Sequence, residues 1–300
     1  MTDPTRHHLS RRTLLLAGVG GLIVAGCGGG GAGSSRSTTT TAAEETNEGL
    51  SLAKVFFPQQ PAGVEVRLPL ALADRRGVLL DTGPPELAVR VGPADTGELG
   101  EATTVRRHEE GIPRAYYPLT TTFPGPGNWR VATEVEGEPA DIVVAALEPS
   151  QVPAVPVVGE ALISVPTPTV EDPRGVDPIC TADPRCPLHA TSLDAAIAGD
   201  KAIAMLIATP AYCQTAICGP VLDLLVARQP DFADQITMIH VEVYPDRASA
   251  GRVTTDTVRA YGLAWEPSLF LARADGTIAS RLDYTYDVDE LDGSLTALVQ

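Results

Sequence analysis

Apolar and polar residues alternate with a period of two at residues 64–68, 87–91 and 129–135. This is the pattern of strands with one buried face. Turn-forming runs, Asp74-Arg75-Arg76-Gly77 and Pro124-Gly125-Pro126-Gly127-Asn128, separate such segments. Short strands at near-regular spacing, with no long helical period, predict an all-β sandwich over residues 49–148. Beyond residue 179 the pattern changes. Residues 201–208 form a nearly continuous apolar run, as a strand buried on both faces requires. Residues 236–244, 268–272 and 278–284 predict three further strands, with a hairpin turn at Asp275-Gly276. Helices are predicted at 192–198, from 221 to a stop before Pro230, at 254–261 closed by Gly262, and at 288–299. Prolines 149, 153, 156, 166, 168, 173 and 178 predict an extended, semi-rigid linker over 149–178.

The first 48 residues read as an address. Arg11 and Arg12 precede an apolar, glycine-rich run that ends at Val24-Ala25-Gly26-Cys27. The run is too short for a comfortable permanent span and reads as the apolar region of a signal peptide, residues 1–26. Its end resembles a bacterial lipobox, which implies cleavage before Cys27 and lipidation of that thiol, with palmitate-type acyl chains supplying membrane affinity. Ser10-Arg11-Arg12-Thr13-Leu14-Leu15 is similar to a twin-arginine signal, which implies export of the folded protein; a general secretory signal is the other route. Residues 27–48 are rich in Gly, Ser, Thr and Glu and predict a flexible tether. The expected location is the outer side of a bacterial cell membrane, held by the lipid anchor.

Charge narrows the partners. The chain has 22 basic and 38 acidic residues, a net charge of −16, so nucleic acid is not an expected partner. The stretch from Phe123 to Val131 resembles the penultimate strand of immunoglobulin-like bacterial modules, which implies a fold and no activity. His108 reads as a solvated loop residue, and Tyr116 and Tyr117 as caps on the sandwich core. The sandwich reads as a spacer or a module for an unidentified partner.

The candidate chemistry lies in the second half. The buried run leads into Thr209-Pro210-Ala211-Tyr212-Cys213-Gln214-Thr215-Ala216-Ile217-Cys218, and a helix follows; Glu266-Pro267-Ser268 comes later. With the element order, these residues resemble the thioredoxin-like superfamily over 179–300. The resemblance implies an α/β thioredoxin-like C-terminal domain behind the immunoglobulin-like sandwich, a nucleophilic Cys213, a resolving Cys218, and a cis-proline at Pro267. The implied activity is thiol–disulfide oxidoreduction, with protein thiols or disulfides of exported proteins as partners. No motif calls for a cofactor.

Four residues separate Cys213 from Cys218, a spacing that resembles bacterioferritin-comigratory peroxiredoxins and implies a thiol peroxidase as an alternative. If the helix begins at Cys213, its dipole lowers the thiol pKa. A permanent disulfide in a non-catalytic binding lipoprotein is a further alternative. Cys180 and Cys186 form a second pair, expected to be a structural disulfide. Metal binding is the remaining alternative: Cys180, Cys186 and His189 as one group, and Cys213, Cys218 and His240 as another. The latter resembles the ligand set of Sco-type copper proteins.

Overall fold

A computed structural model describes residues 49–300. The segments expected to be a signal peptide and a tether, with Cys27, lie outside the described residues. Among the described residues no helix is long and apolar enough to cross a membrane.

The first eight strands are β1 (Ser51–Lys54), β2 (Gln59–Pro61), β3 (Glu65–Ala73), β4 (Glu86–Pro93), β5 (Thr103–Arg106), β6 (Tyr117–Thr122), β7 (Gly127–Val135) and β8 (Glu138–Leu147). They form two sheets, ordered β1-β3-β6 and β2-β8-β7-β4-β5. Alternation places Leu68, Leu70 and Leu119 of the first sheet and Leu87, Val89, Val131 and Val144 of the second in one shared core.

The third sheet contains β9 (Ala202–Ile207), β10 (Ile236–Val241), β11 (Ser268–Ala272) and β12 (Ile278–Asp283), ordered β10-β9-β11-β12. β9 is buried at every position. Its even-numbered residues Ala202, Ala204 and Leu206 enter one core with Val221, Leu222, Leu225, Leu291 and Leu295. Its odd-numbered residues Ile203, Met205 and Ile207 enter another with Leu193, Val258 and Tyr261. The helices are α1 (Leu193–Ile197), α2 (Cys218–Phe232), α3 (Asp256–Ala260) and α4 (Val288–Leu298).

This architecture corrects the expected class. The described chain is mostly β, with three sheets and only 17% helix, and is not an α/β thioredoxin fold beside a separate sandwich. The physical reason lies in how the third sheet is covered and paired. Only β9 and β10 run parallel; β11 is antiparallel to both β9 and β12. α1 and α3 have five residues each. Much of the cover on their side comes from the proline-rich segment, which buries Val155 and Leu162. That segment also adds to the sheet edge: Gly159 N–H donates to Ile278 O and Leu162 N–H to Gly276 O. It is therefore packed structure, and the described residues 49–300 fall in one compact unit. α2 continues through Pro230 and ends at Phe232, three residues beyond the expected stop before Pro230.

The sandwich and the third sheet meet at the N-terminal end of α4. Arg67 of β3 forms a two-pronged ion pair with Glu290, with Nη2 to Oε2 at 2.6 Å, and also donates to Asp283 O and Thr285 O. Tyr116 hydroxyl hydrogen-bonds Glu290. Asp287 caps α4 by accepting from Glu290 N–H and faces His108 Nδ1 at 2.8 Å. His108 and Tyr116 are thus interface residues, whereas Tyr117 belongs to the sandwich core. Gly111, at φ +80°, packs so closely that an added Cβ would lie 2.7 Å from Leu224 Cδ2.

The Asp287 hydrogen bond raises the His108 pKa above its ordinary 6.5 despite burial. Burial opposes ionisation of Asp287, yet the His108 and backbone hydrogen bonds together hold its pKa below the ordinary 3.8. The histidine contribution is complete below pH 6.5 and is lost as pH rises through the raised value. The aspartate contribution is complete above pH 3.8 and is lost as pH falls through the lowered value. We expect His108→Gln to lower unfolding stability by about 1–2 kcal/mol between those limits, and by less outside them. Denaturant titrations of both proteins from pH 3 to 9 check this; a pH-independent difference would contradict an ion pair.

Candidate functional site

The C-terminal end of β9 supplies the first cluster. Thr209 is fully buried, and the chain then rises through Pro210 to an exposed turn at Gln214, Thr215 and Ala216 before burying Ile217 and Cys218. Ala216 takes a left-handed conformation, φ +57°, unusual for a residue with a Cβ. α2 starts at Cys218, not at Cys213. Cys213 lies in the turn ahead of the helix, so the helix dipole is not what acts on it first.

Local hydrogen bonds act instead. Cys213 is partly exposed and Cys218 is buried; both are free thiols. Thr215 Oγ1 lies 3.4 Å from Cys213 Sγ. The neighbouring Cys218 thiol is the largest influence on Cys213, and with Thr215 it outweighs partial burial to lower the Cys213 pKa to about 5. Cys213 in turn, with burial, pushes the Cys218 pKa up. The pair is therefore asymmetric: an accessible thiolate beside a buried, protonated thiol.

β11 borders this pair. Its first residue, Ser268, is paired with Ile207 of β9, which places Pro267 beside Ala208 at the start of the cysteine loop. The Glu266–Pro267 peptide is cis. Glu266 is half-buried; burial first, and the Cys213 charge second, raise its pKa. Tyr244 also feels both sulfurs and packs on Tyr212, with ring centroids 6.3 Å apart. Sequence reasoning missed Glu266 and Tyr244. The position of Glu266 directly before Pro267 was its only signal.

The second cluster regroups the other expected residues. Cys180, Cys186, His189 and His240 are all buried, and one ligand atom from each lies within 4.8 Å of every other. Cys180 and Cys186 are free thiols, so the expected structural disulfide is not formed. His240 does not join Cys213 and Cys218 in a metal site. Its Nδ1 faces Cys186 Sγ at 3.5 Å and Cys180 Sγ at 3.7 Å. The cause is local pairing: His240 N–H donates to Leu188 O, which lays the 186–189 segment alongside β10.

A cleft of about 920 Å³ is bounded by Phe57, Trp265, Arg281 and Tyr284 among others, and no cysteine lines it. No protein-family model matches the chain, and no curated protein matches it significantly.

Proposed function

We propose that this chain performs thiol–disulfide exchange through Cys213 and Cys218 while held by a lipid on Cys27 at the outer face of a bacterial membrane. The observation that carries this reading is the placement of the pair, a partly exposed Cys213 in the turn after β9 beside a buried Cys218 at the start of α2, with the Cys213 pKa lowered and the Cys218 pKa raised. The anchor rests on the lipobox-like Val24-Ala25-Gly26-Cys27.

In the reducing direction, Cys213 thiolate attacks a disulfide of an exported protein. One substrate thiolate leaves, and a mixed disulfide forms at Cys213. Cys218 then loses its proton and attacks the Cys213 sulfur, releasing the second substrate thiolate. The substrate gains two electrons, and the pair closes as a Cys213–Cys218 disulfide. Glu266, whose own pKa is raised and whose charge acts on Cys218, is our candidate acceptor for the proton Cys218 gives up. A dithiol donor must reopen the pair, and the reverse sequence oxidises a substrate. Pro267 shapes the surface beside Cys213 on which a peptide segment rests.

Three outcomes are expected. Alkylation of Cys213 by iodoacetamide, followed by mass mapping of the intact chain, reaches half its plateau rate near pH 5. In Cys218→Ala that midpoint rises by several pH units towards the ordinary thiol value of 9.0; a wild-type midpoint near 9 would remove the basis for the nucleophile. Equilibration in glutathione and dithiothreitol buffers should reduce the Cys213–Cys218 couple within about −120 to −270 mV, the range of known exchangers. A bond that resists reduction until the chain unfolds identifies a structural staple. Glu266→Gln should leave the alkylation rate of Cys213 at neutral pH nearly unchanged while slowing release of the mixed disulfide about tenfold or more. Stopped-flow quenching of the intermediate measures that step, and an unchanged release rate removes Glu266 from it.

A further inference from the structure

Four buried side chains from two separate stretches of sequence converge on a single point: Cys180, Cys186 and His189 from residues 180–189, and His240 of β10. Cys180 and Cys186 are 4% and 8% exposed, His189 1%, and His240 not at all. Buried polar groups need partners, and these four face chiefly one another.

Their spacing matches one geometry. A tetrahedral zinc ion, with Zn–S of about 2.3 Å and Zn–N of about 2.0–2.1 Å, sets ligand atoms roughly 3.5 Å apart for S–N pairs and roughly 3.3 Å for N–N. The observed S–N separations are 3.3 Å for Cys186–His189, 3.5 Å for Cys186–His240 and 3.7 Å for Cys180–His240. The two imidazole nitrogens, His240 Nδ1 and His189 Nε2, are 3.3 Å apart.

The surroundings suit a metal. His240 Nε2 lies 3.2 Å from Ala208 O, an acceptor that places the ring proton there and leaves the Nδ1 lone pair facing the cluster. Cys186 N–H donates to Cys180 Sγ at 3.5 Å. Such an N–H···S bond stabilises thiolate charge. Two thiolates and two neutral imidazoles around a 2+ ion make a neutral unit, the form that burial favours.

We propose that Cys180, Cys186, His189 and His240 bind one zinc ion as a closed, structural Cys2His2 centre. Zn²⁺ displaces the two thiol protons to solvent; no oxidant or reductant is involved. With four protein ligands the ion keeps no open position for substrate. The centre clasps residues 180–189 onto β10. Thr181 in the clasped segment donates its N–H to Glu242 and accepts at Oγ1 from Ala211 N–H, 3.0 Å away. The ion thus holds one wall of the loop that carries Cys213, although its existence does not depend on exchange chemistry there.

The test uses the full-length chain, purified reduced and free of chelator after growth with added zinc. Elemental analysis should find one zinc per chain, retained in Cys213→Ser and in Cys218→Ser. Cobalt(II) replacing the zinc in the wild-type chain should give intense tetrahedral d–d bands and thiolate-to-cobalt absorption sized for two sulfurs. This needs no variant at a ligand, so misfolding of Cys180→Ala or His240→Ala cannot mask the result. Chelation should raise amide exchange across residues 177–189 by about tenfold or more. Absence of zinc together with absence of the cobalt bands overturns the proposal, as does a Cys180–Cys186 disulfide in the metal-free chain as isolated. Zinc that disappears in Cys213→Ser or Cys218→Ser also overturns it, by moving the ion to the other pair.

Discussion

β9 is the constraint on which the rest depends. A strand buried on both faces must be flanked by partners on both edges, because each unpaired backbone polar group there would cost free energy. β10 pairs with one edge and β11 with the other. That pairing fixes three things at the strand's C-terminal end: where the chain emerges towards Cys213, where His240 sits opposite Leu206, and where Pro267 arrives beside Ala208. Both sulfur clusters therefore hang from the same short strand. The even–odd split of its side chains also separates the two cores it joins.

The four cysteines among the described residues are sorted by exposure as much as by spacing. Cys213 stands partly exposed in a turn, where its sulfur can meet a second molecule, and its pKa is lowered by Cys218 and Thr215. Cys180 and Cys186 sit under the 180–189 segment beside two imidazoles. The first arrangement suits reaction with an incoming disulfide, and the second suits permanent occupation by a zinc ion. The Thr181–Ala211 hydrogen bond joins them directly, so the order of one is felt by the other.

The sandwich is not a detached spacer. Arg67, His108 and Tyr116 come from its strands and loops, and all three engage Glu290 or Asp287 at the start of α4. α4 in turn packs against the same core as α2, the helix that begins at Cys218. Buried, mutually satisfied polar groups of this kind hold a fixed orientation better than apolar contact alone.

Local pattern made much of this legible. The double-faced burial of β9 followed from an apolar run, and the alternating strands of the sandwich from their period of two. Cys213, Cys218 and Pro267 were marked by their places beside strands, and Cys180, Cys186, His189 and His240 by their chemistry. The sequence by itself determined which residues carry reactive or ligating atoms and which strands must be buried, because both are properties of short segments. Tertiary structure decided the class of the chain, since a proline-rich stretch read as a linker supplies sheet cover. It also decided that His240 belongs with Cys180 and Cys186. His189 and His240 are 51 residues apart, and only the lateral pairing of Leu188 with β10 brings them together. It moved His108 and Tyr116 from the surface and the sandwich core to an interface, because their partners lie more than 170 residues away and no local pattern encodes a contact at that range.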